Sequence, residues 1–435
     1  MLWKISCGKV ERVSLKGNRC LYLGGVQTVR NKGKWVVIGV LYIIVLLLVF
    51  APVILGKKSL YPYSVGRSLN QVGQNESVQM YVLSGGTYWD AGASDWIEIP
   101  VIEEMRRSLW NKESLLWNSY NSLGMPVIPN SSAATTSPFE IIPLLFGGEQ
   151  AWNFLYIFRL WFIMFFSYAF LRELDLSDMV SFMGGGVLGL SGYAMYHMNM
   201  WHFNVDAALP LLMFVSICYV KKDTLYRWGC VCVATAIMML GGNPQNLITC
   251  VALTHIFFIS KTVVKNCSWK EKVLEYVKYC SAYLLAVCWT MFFWIPFLEL
   301  FANGYNYHAG GDQGLFSIPL KNVLGFLFPG IYFDVDSFYT YLCYIGVGVL
   351  PIIFLYTNLK DKKTWVFIGF ALLYLLKIIG FPLLQWIGRL PILSMVNYWK
   401  YSFSFYFSII VIFAYAMENL KNESVLSKAH KVKRW

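Results

Sequence analysis

The sequence predicts an all-α, polytopic integral membrane protein, and three observations carry that prediction. Apolar side chains make up 57% of the 435 residues and charged ones only 14%, outside the range of soluble globular domains. The apolar residues gather into runs near the length of about twenty that crosses a bilayer as helix. Lys and Arg concentrate in alternate connecting segments, the pattern that orients membrane helices.

Residues 1–34 carry eight Lys and Arg and no small-residue cleavage site before the first apolar run, so they read as a cytoplasmic N-terminus and not a signal peptide. Ten candidate spans follow: Trp35 to Leu55, Ala151 to Leu171, Val180 to His197, Ala207 to Val220, Trp228 to Leu240, Leu247 to Ser260, Tyr279 to Leu298, Thr340 to Tyr356, Trp365 to Phe381 and Ser402 to Met417. The first span, 35–55, is separated from a multi-span region, 151–417, by a long extracytoplasmic loop, 56–150. A basic cytoplasmic tail, 418–435, ends the sequence. GGNPQN, Gly241 to Asn246, reads as a tight outer turn because Gly and Pro together stop a helix. With the N-terminus inside, 25 of the 36 basic residues fall in inner segments and nine in outer ones. The acids distribute the other way, 14 of 24 outside, so polar function is expected on the outer face.

These distributions exclude several classes. The basic residues are scattered through short loops and do not gather with stacking aromatics on one element, which argues against nucleic acid as a partner. No GxxxxGK[ST] phosphate loop is present, so nucleotide hydrolysis is not encoded. The ten cysteines avoid the long outer loops, against a disulfide framework. No cofactor is expected, and a spacing of five between His197 and His202 argues against a metal site there.

The richest polar stretch runs from Asp90 to Pro126. It holds Asp90, Asp95, Glu98, Glu103 and Glu104 ahead of an amphipathic helix from about Pro100, with Val101, Ile102, Met105 and Leu109 on one side. Such a helix lies along a membrane surface, and Asp95 and Glu98, a helical turn apart, face one cavity. A partly desolvated carboxylate there can take a proton from a hydroxyl; the bland alternative is a solvated acidic loop. Outer cations such as Arg107 and Lys400 suit a lipid phosphate or serve as interfacial anchors. Arg159 lies deep in the second span and must face the interior, toward a buried acid, a phosphate or carbonyls. Lys377, near a span end, reads as a snorkelling anchor.

Several segments in order resemble the YfhO family of bacterial membrane proteins, grouped with the GT-C glycosyltransferases. They are SDWIEIP (Ser94 to Pro100), LLWNSYNSLGMP (Leu115 to Pro126), GGNPQ (Gly241 to Gln245), IPFLE (Ile295 to Glu299), SIPLKNVLGFLFPG (Ser317 to Gly330), YIGVGVL (Tyr344 to Leu350) and LPILSMVNYWKYSF (Leu390 to Phe403). The resemblance implies a GT-C-like fold with a structured first extracytoplasmic loop. It also implies an enzyme of the plasma membrane that moves a sugar from a polyprenyl-phosphate carrier to a cell-wall polymer of the teichoic or lipoteichoic acid type. On that pattern Asp95 is the general base and Glu98 positions the acceptor. Lys400, Arg107 and Glu299 bind substrate, with Lys400 standing where the family usually has Arg. Family members usually continue with further spans, so a shortened form is implied. A transporter or flippase of lipid-linked precursors, and an inactive scaffold subunit, are the competing expectations.

Overall fold

The computed structural model describes residues 3–6, 9–12, 32–61, 94–121, 123–304, 313–315, 317–318, 320, 323, 344–390, 393–396 and 398–432. Helices dominate them. They are α1 (Lys32–Val49), α2 (Ile99–Asn111), α3 (Gly148–Glu173), α4 (Asp178–Gly189), α5 (Phe203–Lys221), α6 (Leu225–Met239), α7 (Pro244–Val263), α8 (Trp269–Trp289), α9 (Met291–Asn303), α10 (Val349–Tyr356), α11 (Trp365–Ile378) and α12 (Ser402–Val432), with shorter helical pieces between. Strand pairing among the described residues is limited to Trp3–Ser6 with Lys9–Arg12 and Trp117–Asn118 with Met125–Pro126.

Among the described residues four helices are long and apolar enough to cross a bilayer: α3, α5, α7 and the Ser402–Glu423 part of α12. The number rises to six if two bent pairs each count as one span. These are α8 with α9, bent by 70°, and α11 with Pro382–Arg389, bent by 93°. The ten apolar runs of the sequence are thus not ten straight spans. Hydropathy sees composition but not caps. The run from Val180 to His197 breaks at Leu190, and Ser191 starts a new helix, Gly192–His197, by accepting the Ala194 amide on its side chain. The Thr290 hydroxyl donates to the Ala286 carbonyl 2.9 Å away where α8 ends, and Pro382 restarts the chain after α11. Between α6 and α7 the turn is Gly241 to Asn243, and α7 begins at Pro244 with Asn243 as its cap. Gly242 sits at φ +84°, a conformation that costs glycine little.

Helix α5 is the centre of the bundle. It packs against α3, α6, α7 and α12, and 89% of its most apolar window is buried. Helix α4 approaches α3 closely because it presents glycines. A Cβ on Gly185 would stand 2.5 Å from the Met164 carbonyl oxygen, too close for any other residue without a shift. α1 lies against α3, with Trp161 Nε1 donating to the Gly39 carbonyl at 3.0 Å, while Tyr42 donates to the Phe182 carbonyl of α4 at 2.8 Å. Its opposite side leaves Val36, Val40, Leu47 and Leu48 exposed, as a lipid-facing helix would.

Helix α2 has the expected amphipathic pattern, but its apolar side is covered by protein. Ile99, Val101, Ile102 and Met105 are buried in the main core, leaving Leu109 and Trp110 exposed. Pro100 stands in its first turn, where no amide hydrogen is needed, and Lys112 in the left-handed conformation ends it. Glu103 on α2 accepts from the Gly148 amide and from Trp152 Nε1, at 3.2 and 3.3 Å, so this carboxylate caps α3.

Candidate functional site

Polar side chains converge where the first half of α3 meets the N-terminal ends of α5, α7 and α12. The deepest of them is Arg159, fully buried on α3. An unpaired guanidinium could not persist there, and two carboxylates meet it. Its Nη2 lies 2.5 Å from Glu140 Oε1 and 3.4 Å from Glu98 Oε1. Nη1 donates to the carbonyls of Met198 and Met200, at 3.2 and 3.3 Å. Asn204, in the first turn of α5, donates to Glu140 Oε1 at 2.8 Å. The guanidinium also lies 5.7 Å from the centre of the Tyr156 ring. One arginine therefore ties together the turn before α2, the segment before α3, and the turn leading into α5.

Glu98 reaches this node through its backbone. Ser94–Glu98 form a single π-helical turn that runs into α2, and both ends of the turn are fixed. The Ser94 hydroxyl donates to the Asn199 carbonyl at 2.7 Å, and Glu98 is fully buried beside Arg159. Burial holds the Glu98 carboxyl well above the ordinary carboxylate range; the nearby Glu140 adds to the shift and Arg159 opposes it. Glu140 is delivered by a short 3₁₀ turn, Pro138–Glu140, whose cap is the Ser137 hydroxyl accepting from the Phe139 amide.

A second polar group adjoins the first along α5. Asp206 accepts from Tyr193 at 2.9 Å and from Asn246 Nδ2 at 2.8 and 2.9 Å, all buried. Lys400, in the 3₁₀ turn Tyr398–Tyr401 that leads into α12, is buried and lies within electrostatic range of Asp206, His197 and His202. Thr249 of α7 donates to the Lys400 carbonyl at 3.2 Å, and Gln245 donates to the Met395 carbonyl at 2.6 Å, so the start of α7 holds this turn. His202 just precedes α5. Burial, followed by Lys400, His197 and Arg159, disfavours its charged form. The rings of His197 and His202 are 5.2 Å apart, and His197 Nδ1 meets the Tyr193 carbonyl at 3.0 Å. Among the described residues no group of three or more His, Cys, Asp or Glu is placed to hold a metal ion.

The residues singled out from sequence fare differently. Glu98 and Lys400 both enter the polar layer. The backbone of Asp95 lies in the turn between Ser94 and Glu98, while its side chain is outside the described residues. Arg107 is not in the layer: it binds Glu104 and Glu113 on the surface, each at 2.7 Å. Glu299 is exposed on α9. Lys377 is no snorkelling anchor. It is buried, and its ammonium donates to the Gly314 carbonyl at 2.5 Å and to Gln385 at 3.1 Å: the bend after α11 brings Gln385 back over it, and the turn Gln313–Leu315 supplies the carbonyl. Asp90, with residues 62–93 of the loop 56–150, lies outside the described residues. Glu140, Asn204 and Asn246 carry only one signal in the sequence, an acid or amide at the edge of an apolar run, as in SPFEII and HFNVD, and Tyr193, inside such a run, carries none. A described cavity of about 270 Å³ lies toward the other end of α12, lined by Tyr356, Thr357, Asn358, Asn419 and Glu423, and includes none of these residues.

Fold and site together define a helical membrane protein with a buried polar layer across the ends of its central helices. No family model, no curated protein and no solved structure matches the chain.

Proposed function

We propose that this protein is a plasma-membrane glycosyltransferase. It moves a sugar from a polyprenyl-phosphate carrier to a cell-wall polymer outside the cell, in a topology with both termini cytoplasmic. The observation that carries this reading is the turn Ser94–Glu98, bound to the bundle at both ends, which fixes the backbone of Asp95. A general base must be held in one place relative to its substrate, and a loop tethered only through its flanking chain does not provide that. Lys400, in the same polar layer, is the cation for the carrier phosphate. Arg107 is withdrawn from that role by its two surface carboxylates.

Asp95→Asn retains size and hydrogen bonding but cannot accept a proton at neutral pH. Sugar transfer in reconstituted vesicles is expected to fall by about 10² to 10⁴, the range for losing a general base. Transfer at the wild-type rate by the Asn variant would reject Asp95 as the base.

A second reading has its own support. Transport of lipid-linked precursors calls for polar groups inside spans and for broken helices. Arg159, Asn204, Asp206 and Asn246 are such groups, and two helix pairs are sharply bent. Vesicles in which wild type moves the donor lipid across the bilayer but transfers no sugar decide for that reading.

A further inference from the structure

The node around Arg159 contains one guanidinium and two carboxylates, all with side chains at most 1% exposed. Two ionised carboxylates would leave a net negative charge with no solvent to disperse it. The distances decide which carboxyl yields. Glu140 makes the short contact and also receives Asn204, so it is the ion partner of Arg159. Glu98 makes only the longer contact through Oε1; the buried Oε2 of each carboxyl receives no hydrogen bond among the described residues, so the two differ at Oε1, where Glu140 has two close donors and Glu98 one distant one. A neutral carboxyl tolerates that position, whereas a carboxylate would suffer its full desolvation cost. Other groups facing Glu98 bring no cation to it: Tyr156 on α3 and Ser94, whose hydroxyl donates to the Asn199 carbonyl. His202, beyond Arg159, is disfavoured in its charged form.

We propose that Glu98, Arg159 and Glu140 form a protonation-dependent latch, in which a proton on Glu98 seats the turn Ser94–Glu98 against the bundle and its loss releases the turn. As positioning residues for Asp95 they rest on the transfer reading; as a latch they do not. The sign follows from the raised position of Glu98. A group that titrates higher when folded contributes stability fully present at low pH, lost as pH rises through its folded value. The turn is therefore seated in acid solution and freed as pH rises above the ordinary carboxylate range toward the raised value of Glu98.

Hydrogen exchange of the full chain in lipid nanodiscs, followed across pH in the peptide covering residues 94–111 and corrected for intrinsic rates, tests the latch. In wild type the opening constant should rise about tenfold per pH unit above the ordinary carboxylate range, where the released Glu98 ionises, and level off above the raised value of the seated one. Glu98→Gln, which mimics the neutral carboxyl without changing its shape, should hold the turn closed and flatten the profile. A flat wild-type profile, or one that Glu98→Gln leaves unchanged, overturns the latch. A wild-type profile flat on its own suffices even if the variant fails to fold. The transfer assay separates the two proposals. If sugar transfer occurs, kcat should fall on the alkaline side in wild type and not in Glu98→Gln, with KM for donor little changed. A missing alkaline limb would reject the positioning role. Absence of transfer would reject the glycosyltransferase reading while leaving the exchange result standing.

Discussion

Arg159 and Arg107 each hold two glutamates, and they do so in opposite surroundings. Around Arg107 the partner Glu113 stands at the surface and Glu104 is half-buried, and the arginine side chain is 36% exposed. Hydrogen bonds from Arg107 hold the Glu104 carboxyl below its usual range, as expected when both groups stay charged in water. Around Arg159 nothing is exposed, and burial drives Glu98 the other way. The same trio of one arginine and two glutamates thus gives a solvated ion network at one place and a proton-holding node at the other. Solvent, and not composition, sets the difference.

The contrast is broken most directly at its buried end. Arg159→Met strands Glu140 in the core, and a loss of about 3–5 kcal/mol is expected, as for other buried pairs deprived of one partner. Heat-induced loss of the monodisperse chromatography peak measures it; a melting temperature equal to wild type would mean the node is solvated. Replacing all three members together, Arg159→Met with Glu98→Leu and Glu140→Leu, should recover much of that loss, since no charge is then left buried. Recovery would assign the node to positioning, whereas a triple variant worse than Arg159→Met would make it a net stabiliser. Arg107→Met, the smallest effect, should leave the melting temperature unchanged at physiological salt, because exposed pairs are screened. A clear drop would place Arg107 in a tighter environment than its exposure indicates.

Much of this arrangement was legible in the sequence, and the parts that were not share a cause. An arginine within an apolar run has to face inward and find a partner, so the position of Arg159 follows from its neighbours in the chain. Its partner Glu140 does not, because it stands 19 positions away in a segment whose fold depends on a three-residue turn. The apolar side of α2 followed from periodicity, but what covers it did not, since protein core and membrane surface ask for the same pattern. The sequence misleads at Lys377 for a related reason: a cation near the end of an apolar helix can reach solvent or a carbonyl, and here a turn 63 positions away supplies the carbonyl. Window composition also passed over the breaks at Leu190 and Thr290, where single hydroxyl side chains redirect an otherwise apolar chain.

The central position of α5 bears on how the protein is made. This helix carries Asn204 and Asp206 in its first two turns and Pro210 within it, and its neighbours surround it. Three of them, α3, α6 and α7, lie close in sequence, but the fourth, α12, begins at Ser402 and is synthesised last. Until it arrives, one flank of the most deeply enclosed helix faces lipid, and the turn bearing Lys400 has not reached Asp206. The growing chain therefore holds an unfinished core until the segment after Ser402 has been made. Closure waits for α12, and the interval before it is when a membrane chaperone or a quality-control protease would find the polar flank uncovered.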